Sequence, residues 1–413
     1  MVKVCDAVMG AGKSSATITY INEHPDKKYI YITPYLDEAT RIKKACPALS
    51  FREPEKKSEH HGSKTLHTKT LVERGRNIST THRAFAYYSH ELLDLIKGKG
   101  YTLIIDENVD VMEPLDEDVS DVQLIIDAGY IEEAKNGVYR LAKDVYKGKK
   151  HSDLFKMLKS RDLIKTTNED GSASYYFWRF PPELITAFDE VFILTYLFDG
   201  QAIRHFLKLN DIPYEHIGVE YTDAGIYRFC ESLDYAPAYV KELKKKIHIL
   251  DNPKLNSIGN DYFALSGRWF DKPKSDIPQL KSNLYNYFRH ICPSRVEDKM
   301  WGTFADAEYS IRGKGYSKSY LVFNMKATNK YGGRTVLAYC SNVFMNVGQK
   351  IFYHNNGIEV DEDIFALSTL IQWIWRSAIR NGEEIWIYIP SRRMRELLIG
   401  WIDEVSGGGN HDK

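Results

Sequence analysis

Ala7-Val-Met-Gly-Ala-Gly-Lys-Ser14 holds the residue types that grip a phosphate chain. Gly10 and Gly12 let the backbone turn tightly, so consecutive N–H groups can point inward at phosphate. Lys13 supplies a positive charge for the β- and γ-phosphates of ATP, and Ser14 supplies a hydroxyl for Mg²⁺. The expected nucleotide contacts are Met9, Gly10, Ala11, Gly12, Lys13, Ser14 and Ser15. Such a loop works between a strand and a helix N-terminus, whose unpaired N–H groups favour an anion. Val2-Lys-Val-Cys5 alternates as a buried strand does, and Ser14 to Asn22 contains neither Pro nor Gly. A glycine turn that merely precedes Lys-Ser is the bland alternative, and the agreement of flanks with motif speaks against it.

The partner that a phosphate loop requires is an acidic pair at the end of another strand. Tyr101-Thr-Leu-Ile-Ile105 is apolar throughout and ends on Asp106-Glu107. Asp106 would join Ser14 in holding Mg²⁺, and Glu107 would position the attacking water. A third group recurs at helical spacing. Ser368, Gln372, Arg376 and Arg380 form one polar line on a helix expected from Asp363 to Arg380. Leu367, Leu370, Ile371 and Ile374 occupy its other side, while Trp373 and Trp375 imply that both sides are covered. Gln372, Arg376 and Arg380 are therefore candidates to sense the γ-phosphate, where a guanidinium stabilises developing charge. An ordinary solvated face is the competing reading.

Weaker candidates sit on loops after strands, where open α/β sheets bind ligands. Thr33-Pro34-Tyr35 and Thr80-Thr81-His82-Arg83 could contact nucleic-acid phosphates. Thr195 and Tyr196 close another apolar strand and could couple nucleotide state to a second domain. His60, His61 and His67 lack Cys or carboxylate companions at metal spacing, and a solvated loop from Glu53 to Lys69 explains them better.

The elements that must position these groups alternate. Strands at Lys28–Thr33, Asn77–His82 and Tyr101–Ile105 are interleaved with a helix at Leu36–Cys46 and another running through Lys97. That rhythm predicts a doubly wound α/β domain with a parallel sheet. It breaks between residues 113 and 187, where an acidic opening leads to helices and a hairpin turning at Asn168-Glu-Asp-Gly171. We read that region as an inserted accessory subdomain, with a helix-then-hairpin order that resembles a winged helix. The first domain then comprises 1–112 and 188–208, a second α/β domain runs over 209–405, and 406–413 forms a flexible tail. Expected strands of the second domain are Gly225–Phe229, Tyr320–Phe323, Thr335–Tyr339 and Ile385–Ile389.

A length of 413 residues accommodates two ordinary domains with an insertion. Hydrophobic and charged shares of 43% and 27% are those of a globular chain. No apolar run is long enough to span a bilayer, and five scattered cysteines predict a reducing, cytoplasmic setting without metal pairs. Net charge is zero, so a polyanion would be met by a local basic surface.

Together these motifs resemble those of superfamily 2 helicases, in particular helicase-like proteins encoded by tailed bacteriophages. Ala7–Ser14 looks like their AxxGxGK(S/T) Walker A variant, and Asp106-Glu107 looks like Walker B. Thr33-Pro34 resembles motif Ia, Ser79–Arg83 motif Ib, Leu194-Thr-Tyr196 motif III, and Gln372 with Arg376 motif VI. The pattern departs in three places. Walker B continues Asn108-Val109, Trp375 stands at the usual motif VI glycine, and Arg380 falls one residue late. The resemblance implies two RecA-like P-loop NTPase domains with parallel sheets, the first carrying the insertion. It also implies ATP with Mg²⁺, a nucleic-acid partner with DNA ahead of RNA, other phage replication proteins as partners, and no membrane. A packaging motor, or a nucleotide-dependent switch without unwinding, is the alternative.

Overall fold

The computed structural model describes residues 1–34, 36–56, 63–115, 117–135, 137–142, 146, 148, 150–168, 170–171, 174–271, 276–323 and 331–407. Tyr35, His60 and His61 of the sequence reading lie outside them, as do Asp116, Glu169 and 408–413. The chain divides into two compact units, Met1–Tyr235 with Asn346–Val360, and Ala236–Met345 with Asp361–Lys413.

The first unit is built on β1 (Val2–Asp6), β2 (Lys28–Thr33), β3 (Ile78–Thr81), β4 (Tyr101–Asp106), β10 (Glu190–Thr195) and β11 (Tyr214–His216). Their order is β11-β1-β10-β4-β2-β3, and every pairing is parallel. β4 is buried at all six positions, as a strand covered by helices on both faces must be. Register places the strand ends in one row. Asp6 pairs with Thr195, Leu194 with Asp106, and Thr33 with Thr81.

Between β4 and β10 lie β5 (Met112–Pro114), β6 (Ile131–Lys135), β7 (Val138–Leu141), β8 (Asp162–Thr167) and β9 (Ser174–Arg179). They form an antiparallel sheet in the order β5-β9-β8-β7-β6. Helices Val119–Asp127 and Ser152–Leu158 bury Val122, Ile125, Leu154 and Phe155 against it, with Trp178 and Tyr176 in the same core. The expected hairpin exists as β8–β9, but it is the centre of a five-stranded sheet, not a wing. Asp162, fully buried, receives hydrogen bonds from Arg140 and Arg179 and so ties β7, β8 and β9 together.

The first unit also takes in more chain than the rhythm of the sequence indicated. β11 extends its sheet, and β12 (Gly218–Tyr221) with β13 (Tyr227–Cys230) forms a hairpin packed on helix Lys13–Glu23. The strand expected near Gly225–Phe229 is thus β13, and it belongs to the first unit. Aromatic packing draws it there: Phe229 stacks on Phe192 of β10 at 5.3 Å and meets Tyr20 at 6.2 Å. A late segment returns as well. Helix Val347–Asn355 lies on β8 and β9, with Gln349 donating to the Met112 carbonyl at 3.0 Å. Its Gly348 sits where a Cβ would press into Phe177 and Tyr175.

The second unit has β14 (Ile247–Ile249), β15 (Lys299–Gly302), β16 (Val336–Tyr339) and β17 (Ile385–Tyr388), parallel throughout in the order β14-β17-β16-β15. Tyr320 makes only an isolated bridge to Trp301, so the strand expected at Tyr320–Phe323 does not form. Helices Glu362–Ile374 and Arg392–Ser406 pack on each other. The first ends six residues before the expected Arg380. Ser377 turns extended, its hydroxyl caps the Ile374 carbonyl at 2.6 Å, and Ala378 N–H bonds the Arg334 carbonyl at 2.9 Å. Tertiary pairing thus overrides helical propensity. Among the described residues, no helix is long and apolar enough to cross a membrane.

Candidate phosphate-loop site

The loop after β1 adopts the conformation that its glycines permit. Gly10 and Gly12 have φ of 83° and 95°, values that cost other residues strain. Gly12 caps helix Lys13–Glu23, and its carbonyl accepts from Ala16 N–H at 2.8 Å. Met9, Ser14 and Ser15 are part-exposed, Gly10 is exposed, and Ala11 is buried. Lys13 Nζ is wrapped by the loop, donating to the Val8 carbonyl at 3.1 Å and to the Ala7 carbonyl. Burial holds its pKa below the usual lysine range, opposed by the charges of Asp106 and Asp6. Burial likewise lifts the Cys5 thiol to about 12, which leaves it inert as a nucleophile.

Asp106 reaches this loop. Ser14 Oγ donates to its carboxylate at 3.2 Å and 3.4 Å, although 92 residues separate the two in sequence. A residue that sequence reasoning missed completes the arrangement. Tyr31, in the middle of β2 and fully buried, donates its hydroxyl to Asp106 Oδ2 at 2.6 Å. Burial raises the pKa of Asp106, while Tyr31, Lys13 and Ser14 counteract by favouring the carboxylate. The next residue, Glu107, is exposed and has φ of 66°, a left-handed value uncommon outside glycine.

β10 explains how two distant motifs are held together. It lies between β1 and β4, and its last two carbonyls each accept from one of the motifs. Thr195 O accepts from Ala7 N–H at 3.1 Å, and Leu194 O accepts from Glu107 N–H at 3.0 Å. Thr195 is fixed in turn, its hydroxyl donating to Gln201 Oε1 at 2.6 Å while Gln201 donates to the Tyr196 carbonyl at 2.7 Å. Asp6 accepts from Phe198 N–H at 3.0 Å.

The candidate nucleic-acid residues divide sharply. Thr33, Thr80 and His82 are buried, Thr81 and Pro34 are half-buried, and Arg83 is exposed. His82 Nε2 lies 2.8 Å from the Asp106 carbonyl, and Thr81 caps the short helix His82–Phe85. A solvent-facing role for Thr33, Thr80 and His82 is therefore corrected: their burial turns them inward, and His82 buttresses the acidic pair. His67 is buried too, its Nδ1 accepting from Glu55 N–H at 2.9 Å, because helix Lys64–Glu73 replaces part of the expected loop.

In the second unit, Gln372 bonds Ser368 at 3.3 Å, but the polar line stops with the helix at Ile374. Arg376 lies beyond the helix, buried; burial raises the pKa of the Tyr339 hydroxyl, and the Arg376 charge opposes that only in part. Arg380 is exposed in the turn Ala378–Asn381. Gln372, Arg376 and Arg380 thus do not share one helix face.

Two parallel α/β units, the first with a glycine loop and a facing acidic pair, define a mixed α/β class of protein. Residues 241–402 match the family described as YonV C-terminal Rossmann-like domain. Along its length the chain is 38% identical to the SPbeta prophage-derived uncharacterized protein YonV of Bacillus subtilis (strain 168), over 417 residues that cover 97% of this chain and 98% of that one. The chain belongs to the YonV family. It is also similar to the solved structure of an XPD protein in its apo form (11% identical, 97% and 95% of the two chains, TM-score 0.49) and to S. tokodaii Xpd4 (11%, 97% and 94%, TM-score 0.45). At such scores the functional reading stands on the site's own geometry.

Proposed function

We propose that this protein is an ATP hydrolase of the superfamily 2 helicase type that moves along or opens DNA, acting in the host cytoplasm during phage replication or recombination. One observation carries the proposal: the hydroxyl of Ser14 and the carboxylate of Asp106 meet at 3.2 Å beside Lys13. A hydroxyl and a carboxylate are hard oxygen donors, which suit Mg²⁺ with water and phosphate completing its shell. Bound there, Mg²⁺ would neutralise charge on phosphate oxygens. Lys13 would leave the loop carbonyls for the phosphate chain, and the N–H groups of Gly10 to Ser15 would receive its oxygens. Glu107 would orient water. Gln372, Arg376 and Arg380 enter this proposal as γ-phosphate sensors, and Arg83 as a contact to nucleic-acid phosphate.

The deciding experiment is steady-state ATP hydrolysis with and without single-stranded DNA, followed by strand displacement on forked DNA and RNA duplexes. Hydrolysis stimulated by DNA and lost in Glu107→Gln supports the reading. A DNA-indifferent rate would leave a nucleotide switch, and no hydrolysis at all would remove the enzyme.

A further inference from the structure

A Cβ placed on Gly12 would run into the ring of Tyr227. That residue opens β13, more than two hundred positions downstream, yet its ring lies flush against the glycine that caps the phosphate-loop helix. The hairpin is held there firmly. Phe229 stacks on Phe192, and Arg228 pairs with Glu23 at the far end of the same helix. Around Tyr227 the surface is aromatic: Tyr221 lies 4.8 Å away between ring centroids and is 54% exposed, and the Tyr235 hydroxyl shares a hydrogen bond with that of Tyr227. A half-buried ring beside a phosphate cradle, extended by an exposed ring, is a wall that needs a flat apolar neighbour.

We infer that Tyr227, with Tyr221 beside it, is the base platform of the nucleotide site and stacks the purine of the nucleoside triphosphate. The inference rests on the phosphate-loop reading above. Its geometry is consistent with the ligand's own dimensions. The ring occupies one contact layer against Gly12 and a stacked base the next, so the base would stand roughly 7 Å from the loop. A ribose and an α-phosphate bridge that distance. Stacking on a tyrosine is worth about a tenfold change in affinity or more per base.

The test compares binding of ATP and of inorganic tripolyphosphate, each with Mg²⁺, by calorimetry on the full chain. Tyr227→Ala should weaken ATP about tenfold and leave tripolyphosphate unchanged, while Tyr227→Trp should retain ATP. Thermal melts of both variants establish that the fold persists. Equal weakening of both ligands would make the ring a brace for the loop and overturn the inference. Unchanged ATP binding, or tighter binding from removal of a cover, would overturn it as well. Lys13→Ala reports on the underlying reading, because it should weaken both ligands whatever Tyr227 does. If the parent protein binds neither ligand, both readings fall.

Discussion

Both units present the carboxyl ends of a parallel sheet, and they use them differently. In the first, Asp106 and Glu107 end β4 facing a glycine loop, and the polar groups there contact one another across the sheet. In the second, polar side chains at the strand ends fold back on their own backbone. Thr303 donates to the Cys340 carbonyl, Arg395 to the Ile389 and Pro390 carbonyls, and buried Arg393 to the Val343 and Glu362 carbonyls and to Asn342. One edge gathers a carboxylate, two hydroxyls and an ammonium from three separate elements at one point. The other uses its polar groups for cohesion. Groups serving a ligand are stabilised poorly before it arrives, whereas groups serving the fold are satisfied already.

The largest expected effect breaks the comparison on the first side. Lys13→Ala should lower ATP turnover about a thousandfold, as loss of a charge aimed at the transition state does. Its melting temperature should change little, since the loss of a lysine disfavoured by burial is set against its bonds to the Ala7 and Val8 carbonyls. A melting temperature that falls by many degrees would show that Lys13 serves the fold. Arg393→Ala is the counterpart. It leaves Asn342 and two carbonyls without their donor and should cost about 3 kcal/mol in urea unfolding. A loss under about 0.5 kcal/mol would mean that water replaces the guanidinium freely.

A finer effect is expected at Tyr31. Tyr31→Phe removes the hydrogen bond that favours the Asp106 carboxylate, so the Asp106 pKa rises further. Supporting groups of this kind change metal affinity about tenfold or more. The Mg²⁺ needed for half-maximal nucleotide binding should rise accordingly, more steeply in mild acid, where Asp106 is more often protonated. An unaltered Mg²⁺ requirement would assign Tyr31 to packing alone.

The smallest effect appears only in acid. His205 packs on Tyr353 of the returning helix at 5.0 Å between rings, and burial lowers its pKa to about 4. The unfolded chain takes up that proton near pH 6.5 and the folded one only near 4. Stability is therefore full above pH 6.5 and declines as pH falls from there toward 4. Amide protection factors in residues 346–360, taken relative to intrinsic exchange at each pH, should fall over that window and lose the dependence in His205→Phe. Identical profiles for the two proteins would exclude His205 as the cause.

The phosphate loop and the acidic pair were legible because each is local, a strand end with a fixed set of neighbouring residues. β4 and β10 were legible as nearly continuous apolar runs, and β1 and β2 by strand-like alternation. Tyr31 was hidden among such residues: the register between β2 and β4 pairs it with Ile104, two residues before Asp106 on the same face, and the pattern of a single strand does not reveal that. Tyr227 was hidden by distance, and its strand was assigned to the wrong unit. The helix through Arg380 failed for a related reason, since a hydrogen bond to Arg334 ends it where local propensity would continue. His82 had the polarity of a ligand-binding residue, and only burial shows that it faces inward.

The returning segment has a consequence for biosynthesis. The peptide passes between the units three times, after Tyr235, Met345 and Val360. The first unit therefore waits on the ribosome for chain that is made after much of the second. From Tyr235 to Val360 is 125 residues, or roughly 6 to 25 s of synthesis at 5–20 residues per second. During that interval the helix that covers Tyr175 and Phe177 of β9 has not been made, although every residue of the glycine loop has. A message truncated between Tyr235 and Asn346 yields a first unit that carries every residue of the loop and acidic pair but lacks its last helix.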